Sequence, residues 1–197
     1  MGLTSVVIPD SVTEIGNGAF KGCKGLTSIA IPDSVTEIKY NAFAGCTGLQ
    51  SIVIPDSVTE IKYNAFAGCT GLTSIVIPNS VTKIGEDAFK GCTGLTSIVI
   101  PKTMKKIESC VFCGCTGLKS VMILAPIKVD RACFKNCKAL ETVILGTDIK
   151  KIHEEAFEGC TALKTINVPA KKTNYYKKRL PEELHHLIVE LPTLVRS

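Results

Sequence analysis

A leucine that recurs at a nearly constant interval limits the folds open to this chain. The spacing is 23 residues except for one step of 22, and the leucines are Leu3, Leu26, Leu49, Leu72, Leu95, Leu118, Leu140 and Leu163. Each begins a unit of the form L-x-S-I-x-I-P-x-S-V-T-x-I-x-x-x-A-F-x-G-C-x-x. A unit of this length cannot bury its apolar face alone, whereas stacked units bury a continuous core. The period therefore predicts a solenoid.

The residue types within one unit predict its local shape. In the unit that starts at Leu72, Ile75 and Ile77 alternate with polar or outward-facing residues, which is the period of a short strand. Pro78 lacks a backbone donor and ends that strand. Residues 81–84 then form a second extended piece and residues 87–90 a helical turn. We expect a curved repeat solenoid with a parallel β-sheet on one face and short extended or helical turns on the other.

A glycine follows the predicted turn in almost every unit. Its slot holds Gly22, Gly45, Gly68, Gly91, Gly114 and Gly159, with Asn136 as the one exception. Because Asn is the non-glycine residue best able to adopt a positive φ, the exception supports a left-handed C-terminal cap in every unit.

Phenylalanine and cysteine also recur with the repeat. The phenylalanines are Phe20, Phe43, Phe66, Phe89, Phe112, Phe134 and Phe157, and the cysteines are Cys23, Cys46, Cys69, Cys92, Cys115, Cys137 and Cys160. We interpret both columns as core, with the cysteines as reduced, buried thiols that act as small apolar fillers.

Three further cysteines depart from the template. Cys133 takes a core slot, whereas Cys110 and Cys113 take slots that face outward. Cys110 and Cys113 have the C-x-x-C spacing of a zinc site, but the template separates them from Cys133 and Cys137 in the core. We therefore predict no metal site and no cofactor, and we expect Cys110 and Cys113 to be prone to oxidation.

The motif resembles a known family. The run I-x-I-P-x-S-V-T-x-I-x-x-x-A-F-x-G-C, as in residues 52–69, is similar to the BspA-like leucine-rich repeats. The resemblance covers about residues 3–169, and the Pro, Ala-Phe and Gly-Cys positions recur together. It implies an array of seven to eight repeats in residues 1–169, and it implies surface or secreted proteins of host-associated microbes that attach to host or matrix proteins.

Side chains between the buried isoleucines of each strand must face outward. They form an apolar column and, beside it, a polar column. The apolar column is Val7, Ala30, Val53, Val76, Val99, Met122 and Ile144, followed by Asn167; the polar column is Ser5, Ser28, Ser51, Ser74, Ser97, Ser120 and Thr142, followed by Thr165. Ordinary β-propensity explains valine in strands. A contiguous exposed apolar stripe, however, is typical of an interaction surface, and we predict that partners bind there.

A second candidate surface contains Tyr40 and Tyr63, which occupy the same slot in consecutive units. Tyrosine contributes a large contact area at low entropic cost. Recent duplication explains the pair equally well, because residues 39–49 and 62–72 are identical.

The two ends of the array differ. Met1 lies at a unit boundary with no capping segment before Leu3, so we expect an open first coil. Such an end predicts either truncation from a longer array or a homo-oligomer formed by end-to-end stacking. Residues 170–197 lack the repeat and are expected to cap the last coil. Within them, residues 181–191 place four aliphatic side chains on one helical face, which favours a helix. A strand over residues 187–191 is the alternative interpretation.

Composition narrows the function classes. Residues 1–100 contain six Lys and eight Asp or Glu, whereas residues 101–197 contain 17 Lys or Arg and ten acids. The basic half could attract an acidic partner, but no basic stripe with interleaved aromatic residues predicts nucleic-acid binding. No apolar run predicts membrane insertion, and the start of the chain does not resemble a signal peptide. The compartment is therefore either cytoplasmic or, for a piece of an exported protein, extracellular.

No arrangement of nucleophile, base and orienting acid occurs, and no phosphate-binding loop, so we expect no enzyme. The leading hypothesis is a binding or adhesion module that presents its strand face to a protein or other extended macromolecule. The alternatives are a structural protein that assembles through its open first coil, and a cytoplasmic scaffold.

Overall fold

The computed structural model describes residues 3–192, which form a parallel β-solenoid of about eight turns. Fifteen short strands are β1 Glu14–Ile15, β2 Ser28–Ala30, β3 Glu37–Ile38, β4 Ser51–Val53, β5 Glu60–Ile61, β6 Ser74–Ile75, β7 Lys83–Ile84, β8 Ser97–Ile100, β9 Lys106–Ile107, β10 Ser120–Ile123, β11 Lys128–Val129, β12 Thr142–Leu145, β13 Lys151–Ile152, β14 Thr165–Val168 and β15 Ile188–Glu190. Within residues 3–192, one short α-helix, α1, spans Thr173–Lys177, and 3-10 helices span Glu154–Phe157 and Glu182–Leu187.

The first strand of each unit from the second unit onward builds the predicted parallel sheet, and the first unit adds a single bridge from Val7 to Ala30. Equivalent positions of neighbouring units pair across coils, so Ser28 pairs with Ser51 and, across the one 22-residue step, Val121 pairs with Val143. The sheet consists of two ladders, one with the order β2-β4-β6 and the other with the order β8-β10-β12-β14-β15. The ladder is interrupted between β6 and β8, where Val76 and Ile77 lie beyond the end of β6.

The predicted second extended piece is also present. It builds a narrow parallel sheet with the order β1-β3-β5-β7-β9, and β11 pairs with β13. In each of these two-residue strands the first side chain is charged and the second, such as Ile38 or Ile61, is buried. Apolar side chains from both sheets therefore fill the interior of the solenoid.

The predicted helical turn forms a helix only at Glu154–Phe157 among residues 3–192. In the other units a residue at the start of this segment has a positive φ, which is incompatible with a right-handed helix. The residues are Gly18, Asn41, Asn64, Asp87, Cys110 and Ala132, with φ between 54° and 61°. Glu155 occupies the slot in the helical unit and does not have a positive φ. This slot was not predicted from the sequence, although its Gly, Asn and Asp content is typical of left-handed backbone.

The predicted left-handed glycine slot is confirmed. Its six glycines have φ of 70–74°, and Asn136 has φ of 60°.

The interior is filled by the phenylalanine and cysteine columns, as predicted. Neighbouring phenylalanine rings are stacked with centroids 5.2–5.5 Å apart and planes within 10°. Each cysteine of this column from Cys46 to Cys160 donates its S–H to the backbone oxygen of the phenylalanine in the preceding unit, as Cys69 does to Phe43 at 3.1 Å. The thiols therefore connect coils as well as fill space.

Residues 170–192 pack on the last coil. Tyr176 is buried, and β15 extends the sheet by pairing with β14. Residues 181–191, for which the sequence left both a helix and a strand as alternatives, contain both, because the 3-10 helix Glu182–Leu187 leads directly into β15.

At the N-terminal end of the solenoid, Val6, Ile8 and Phe20 are only half-buried and line an apolar cavity of about 260 Å³. No helix within residues 3–192 has the length and apolar character needed to cross a membrane.

Candidate partner-binding surface

The strand face, defined here as the apolar and polar columns of the first sheet, is exposed over the first five units. Strand alternation directs Ile29, Ile52 and Ile75 into the core and turns the intervening residues outward. The exposed fractions are 92% for Val7, 75% for Val53, 77% for Val76 and 47% for Val99. Ala30 and the serines of these units, Ser5, Ser28, Ser51, Ser74 and Ser97, are exposed as well.

The strand face changes character in the later units. Met122 and Ile144 are half-buried, as are Ser120 and Thr142 in the polar column. Leu124 takes the place that proline holds in most units and is 41% exposed. The apolar surface available to a partner is therefore concentrated between Val7 and Val99, with Leu124 at its border.

A groove opens in the strand face where the ladder between β6 and β8 is interrupted. Its volume is about 620 Å³. Val76 and Val99 line it from the strand face, and Pro101 and Leu124 line it from the following turns. Asn79 and Lys102 add polar groups at its edge.

A column of carboxylates borders the strand face along the carboxyl ends of its strands. Asp10, Asp33 and Asp56 occupy the same slot as Asn79 and Lys102, which line the groove beside the valines. All three aspartates are exposed, and none forms an ion pair within residues 3–192. This border was not predicted from the sequence, although a Pro-Asp pair that repeats in the first three units indicates it.

The two tyrosines lie on a different surface, beside the second sheet. Tyr40 and Tyr63 line a depression of about 330 Å³ together with Glu60 and Lys83. The Glu60 carboxylate lies 2.5 Å from the Lys62 ammonium and 2.8 Å from that of Lys83. Burial opposes ionisation of Glu60, but the hydrogen bonds from these lysines outweigh it, so its pKa is lowered. The charges of this depression are thus largely satisfied within the chain.

The cysteines provide no metal centre in the part of the chain that is described. Within residues 3–192 no three His, Cys, Asp or Glu side chains come close enough to hold an ion. Cys110 and Cys113 are half-buried and Cys133 is buried. Burial raises the pKa of Cys46 to about 11 and the pKa of Cys69 and of Cys115 to about 12. These three buried thiols are therefore neutral and unreactive at physiological pH.

Several solved structures of bacterial proteins are similar to this chain. A leucine-rich repeat protein of T. pallidum, TpLRR, is 33% identical, with a TM-score of 0.76 over 89% of this chain and 82% of that one. A leucine-rich repeat protein from Bacteroides ovatus is 25% identical, with a TM-score of 0.52 over 95% and 69%. The pneumococcal vaccine antigen PcpA shares the fold, with 20% identity and a TM-score of 0.76 over 87% and 43%. No curated protein sequence matches the chain.

The family comparison agrees with the geometry of the coils. The model of the BspA type leucine-rich repeat region matches residues 1–119 and 84–180, with six copies. These matches cover most of the chain. The strand, the turn and the Gly-Cys pair of each unit explain why the same residue types recur in the sequence of this chain. The protein therefore belongs to the BspA type leucine-rich repeat family.

Proposed function

We propose that the protein is a non-enzymatic binding or adhesion module whose strand face contacts a protein or another extended macromolecule. The observation that carries this proposal is the exposed apolar column between Val7 and Val99. Contiguous apolar surface is uncommon on soluble monomers and is typical of interaction sites. Burying it removes apolar area from water, which is the main favourable contribution to association.

The repeat geometry favours binding over β-propensity as the reason for these valines. β-Propensity acts on single residues and would be satisfied by threonine, which is common elsewhere in the units. Instead the apolar residues are aligned in one column beside an unbroken column of serines. We propose the cell surface as the location, because the family resemblance and a vaccine antigen with this fold point there.

The test compares two paired variants of the whole chain. Val76→Glu with Val99→Glu places charge at the centre of the strand face, while Thr70→Glu with Thr93→Glu adds equal charge at exposed turns outside it. Each immobilised protein is exposed to solubilised host cell-surface proteins, and the retained proteins are identified by mass spectrometry. We expect proteins that the wild type and the threonine variant retain to be lost with the valine variant. Identical retention by all three would contradict the proposal.

A second candidate is self-assembly through the first coil, favoured by the half-buried Val6, Ile8 and Phe20 around an apolar cavity. Light scattering over a range of concentrations tests it. Growth in mass that is lost when a polar capping unit is grafted before Leu3 would support assembly, and a constant monomer mass would contradict it.

A further inference from the structure

We infer that the last units of the solenoid bind a sulfated polysaccharide along a row of lysines, at a site separate from the strand face. The row, called the lysine strip here, crosses the second sheet and reaches the C-terminal segment. It consists of Lys106, Lys128, Lys151 and Lys178, flanked by Lys105 and Lys150. All six side chains are exposed.

The second sheet aligns the lysines of the strip. Lys106, Lys128 and Lys151 are the first residues of β9, β11 and β13, and Lys128 pairs with Lys151 across neighbouring strands. Paired strands lie about 4.8 Å apart. Beyond β13, the backbone N–H of Ile152 donates to the backbone oxygen of Arg179 at 3.1 Å, which brings the C-terminal segment alongside. Like charges on paired strands repel each other, so an anion bound along the strip stabilises the fold.

The same column is neutralised within the chain in the earlier units. The Glu60 carboxylate lies 2.5 Å from the Lys62 ammonium and 2.8 Å from that of Lys83. Lys106 still pairs with Glu108 at 2.7 Å. The other five lysines of the strip form no ion pair within residues 3–192. The positive charge of the last units is therefore left for a ligand.

The slot that supplies the countercharge of the earlier units has other contacts in the last two. It holds Asp130 after β11, and that carboxylate accepts the backbone N–H of Arg131 at 2.8 Å. It holds His153 after β13, whose Nδ1 accepts the backbone N–H of Glu155 at 3.2 Å. Neither side chain forms an ion pair with a lysine of the strip.

The strip ends in a depression of about 290 Å³. Lys151, Lys178 and Arg179 line it, together with the carboxylate of Glu154. The Arg179 guanidinium lies 3.5 Å from the centre of the Tyr175 ring, and its Nη1 donates to the backbone oxygen of Tyr175 at 3.0 Å. Three cations thus converge where one anionic group of a ligand is held.

The strip provides charge without apolar or stacking surface, which selects the class of partner. None of the exposed large apolar side chains of residues 3–192 lies on β9, β11 or β13. The Tyr175 ring is covered by Arg179 and Lys172. Protein partners contribute an apolar interface core, and single-stranded nucleic acids stack their bases on aromatic rings. A sulfated polysaccharide needs neither, because it binds through sulfate and hydroxyl groups.

The strip is also narrow. Glu108, Asp130 and Glu154 follow the strands directly, so carboxylates border the strip on one side. They repel the second row of phosphates of a duplex and the surface of an anionic membrane. A single linear chain avoids them.

The test measures binding of a fluorescent heparin oligosaccharide to the whole chain by anisotropy. The unlabelled competitors are heparin, desulfated heparin, polyglutamate, and single-stranded and duplex DNA. We expect heparin to compete at least about tenfold better than each of the others, because its sulfates meet several lysines at once. Absence of heparin binding, or competition by desulfated heparin as strong as that by heparin, would overturn the inference. Equally strong competition by either DNA or by polyglutamate would show another class of partner and would also overturn it.

Variants locate the contact on the strip. Lys128→Gln with Lys151→Gln and Lys178→Gln should weaken heparin binding by about tenfold, because each exposed charge pair contributes a small increment. The affinity should also depend less steeply on salt, since fewer counterions are released from the polyanion. All three side chains are exposed, so circular dichroism should show an unchanged fold.

The matched control removes the same charge from exposed lysines outside the strip. Lys102→Gln with Lys119→Gln and Lys138→Gln should bind heparin within about twofold of the wild type. An equal loss with both sets of substitutions would overturn the inference, since only the net charge of the protein would then matter.

A neutral change separates this inference from the proposed function. Val76→Ser with Val99→Ser should leave heparin binding unchanged, because these valines lie on the first sheet. If the valine variant loses heparin and the lysine variant keeps it, the polysaccharide occupies the strand face and the lysine strip is not the site. If heparin binds at the strip while the strand-face variants retain the same host proteins as the wild type, this inference stands and the proposed function fails.

Discussion

The cysteine of each unit shows how one side chain serves two purposes. Sequence analysis predicted a small apolar filler, and Cys46, Cys69, Cys92, Cys115 and Cys137 are fully buried. The structure adds a thiol hydrogen bond to the preceding coil, 3.0 Å long from Cys46 to the backbone oxygen of Phe20. Alanine would fill the slot without this bond, and serine would bring a more polar group into the core.

We propose that Cys110 and Cys113 are the sites where the chain is modified first, together with the half-buried Cys23 and Cys160. Iodoacetamide at pH 8 with peptide mapping by mass spectrometry tests the order of reaction. The four half-buried thiols should react before the fully buried thiols of the cysteine column, which are neutral and become accessible only by unfolding. Reaction of Cys69 or Cys92 at the same rate as Cys113 would contradict this order.

At the scale of the coil, the close approach of neighbouring units depends on a glycine just before the leucine. A Cβ added at Gly71 would lie 2.5 Å from the backbone oxygen of Thr47 in the preceding coil. The glycine slot predicted from the sequence is the one that follows the turn, and this contact was not predicted. The requirement for glycine here comes from the close stacking of coils and not from backbone conformation, because Gly71 does not have a positive φ.

Gly71→Ala should therefore lower the free energy of unfolding by about 1–3 kcal/mol, as expected for an overpacked site. Urea unfolding followed by circular dichroism measures the change. Gly16→Ala is the matched control, because a Cβ there has no atom within 4 Å. Equal effects of the two substitutions would show that backbone entropy, and not stacking, dominates.

The C-terminal segment is held to the last coils by specific contacts. The Tyr175 hydroxyl donates to the backbone oxygen of Ile149 at 3.0 Å, and that of Tyr176 donates to Gly146. Glu190 accepts the Thr173 hydroxyl at 2.5 Å, and hydrogen bonds from Thr173 and Lys171 lower the pKa of Glu190. We propose on this basis that residues 170–197 are a separate capping segment.

If the segment is a cap, Tyr176→Ala should release it and expose the sheet edge at β14. Amide hydrogen exchange should then accelerate at Ile166 and Val168, while Ile52 in the distant β4 keeps its protection. Removal of a buried aromatic side chain should also lower the free energy of unfolding by about 3–5 kcal/mol. Unchanged exchange in β14 would contradict a capping role.

For the whole molecule, the buried thiols of the cysteine column make stability depend on pH in the alkaline range. Burial raises the pKa of Cys69 from 9.0 to about 12 in the folded chain, and burial also raises that of Cys92. Between pH 9 and 12 the unfolded chain loses these protons while the folded chain keeps them. The unfolded state then binds fewer protons, so the free energy of unfolding falls as pH rises.

Each such thiol should lower the free energy of unfolding by about 1.4 kcal/mol per pH unit within that window. Urea unfolding at pH 9, 10 and 11 with a phosphine reductant measures the slope. Cys69→Ala with Cys92→Ala should be less stable at pH 8 but show a shallower slope, by about 3 kcal/mol per pH unit. An identical slope in the variant would mean that other groups, such as lysines and tyrosines, cause the alkaline loss.

The sequence by itself determined the repeating features. A period of 23 residues predicts the solenoid, strand alternation predicts which side chains face inward, and the exception at Asn136 predicts the left-handed glycine slot. These features follow from the steric and hydrophobic preferences of residues close together in the chain. They are local, and the repeat multiplies the same signal until it is unambiguous.

Only the tertiary structure decided what happens between coils. The thiol bond to the preceding phenylalanine joins residues about one unit apart, and the interruption between β6 and β8 lies between two neighbouring units. The second positive-φ slot likewise depends on how the turn meets the next coil, since Cys110 and Ala132 adopt it without the residue types that favour it. Distances and angles across coils are set by packing, and the period of a sequence does not encode them.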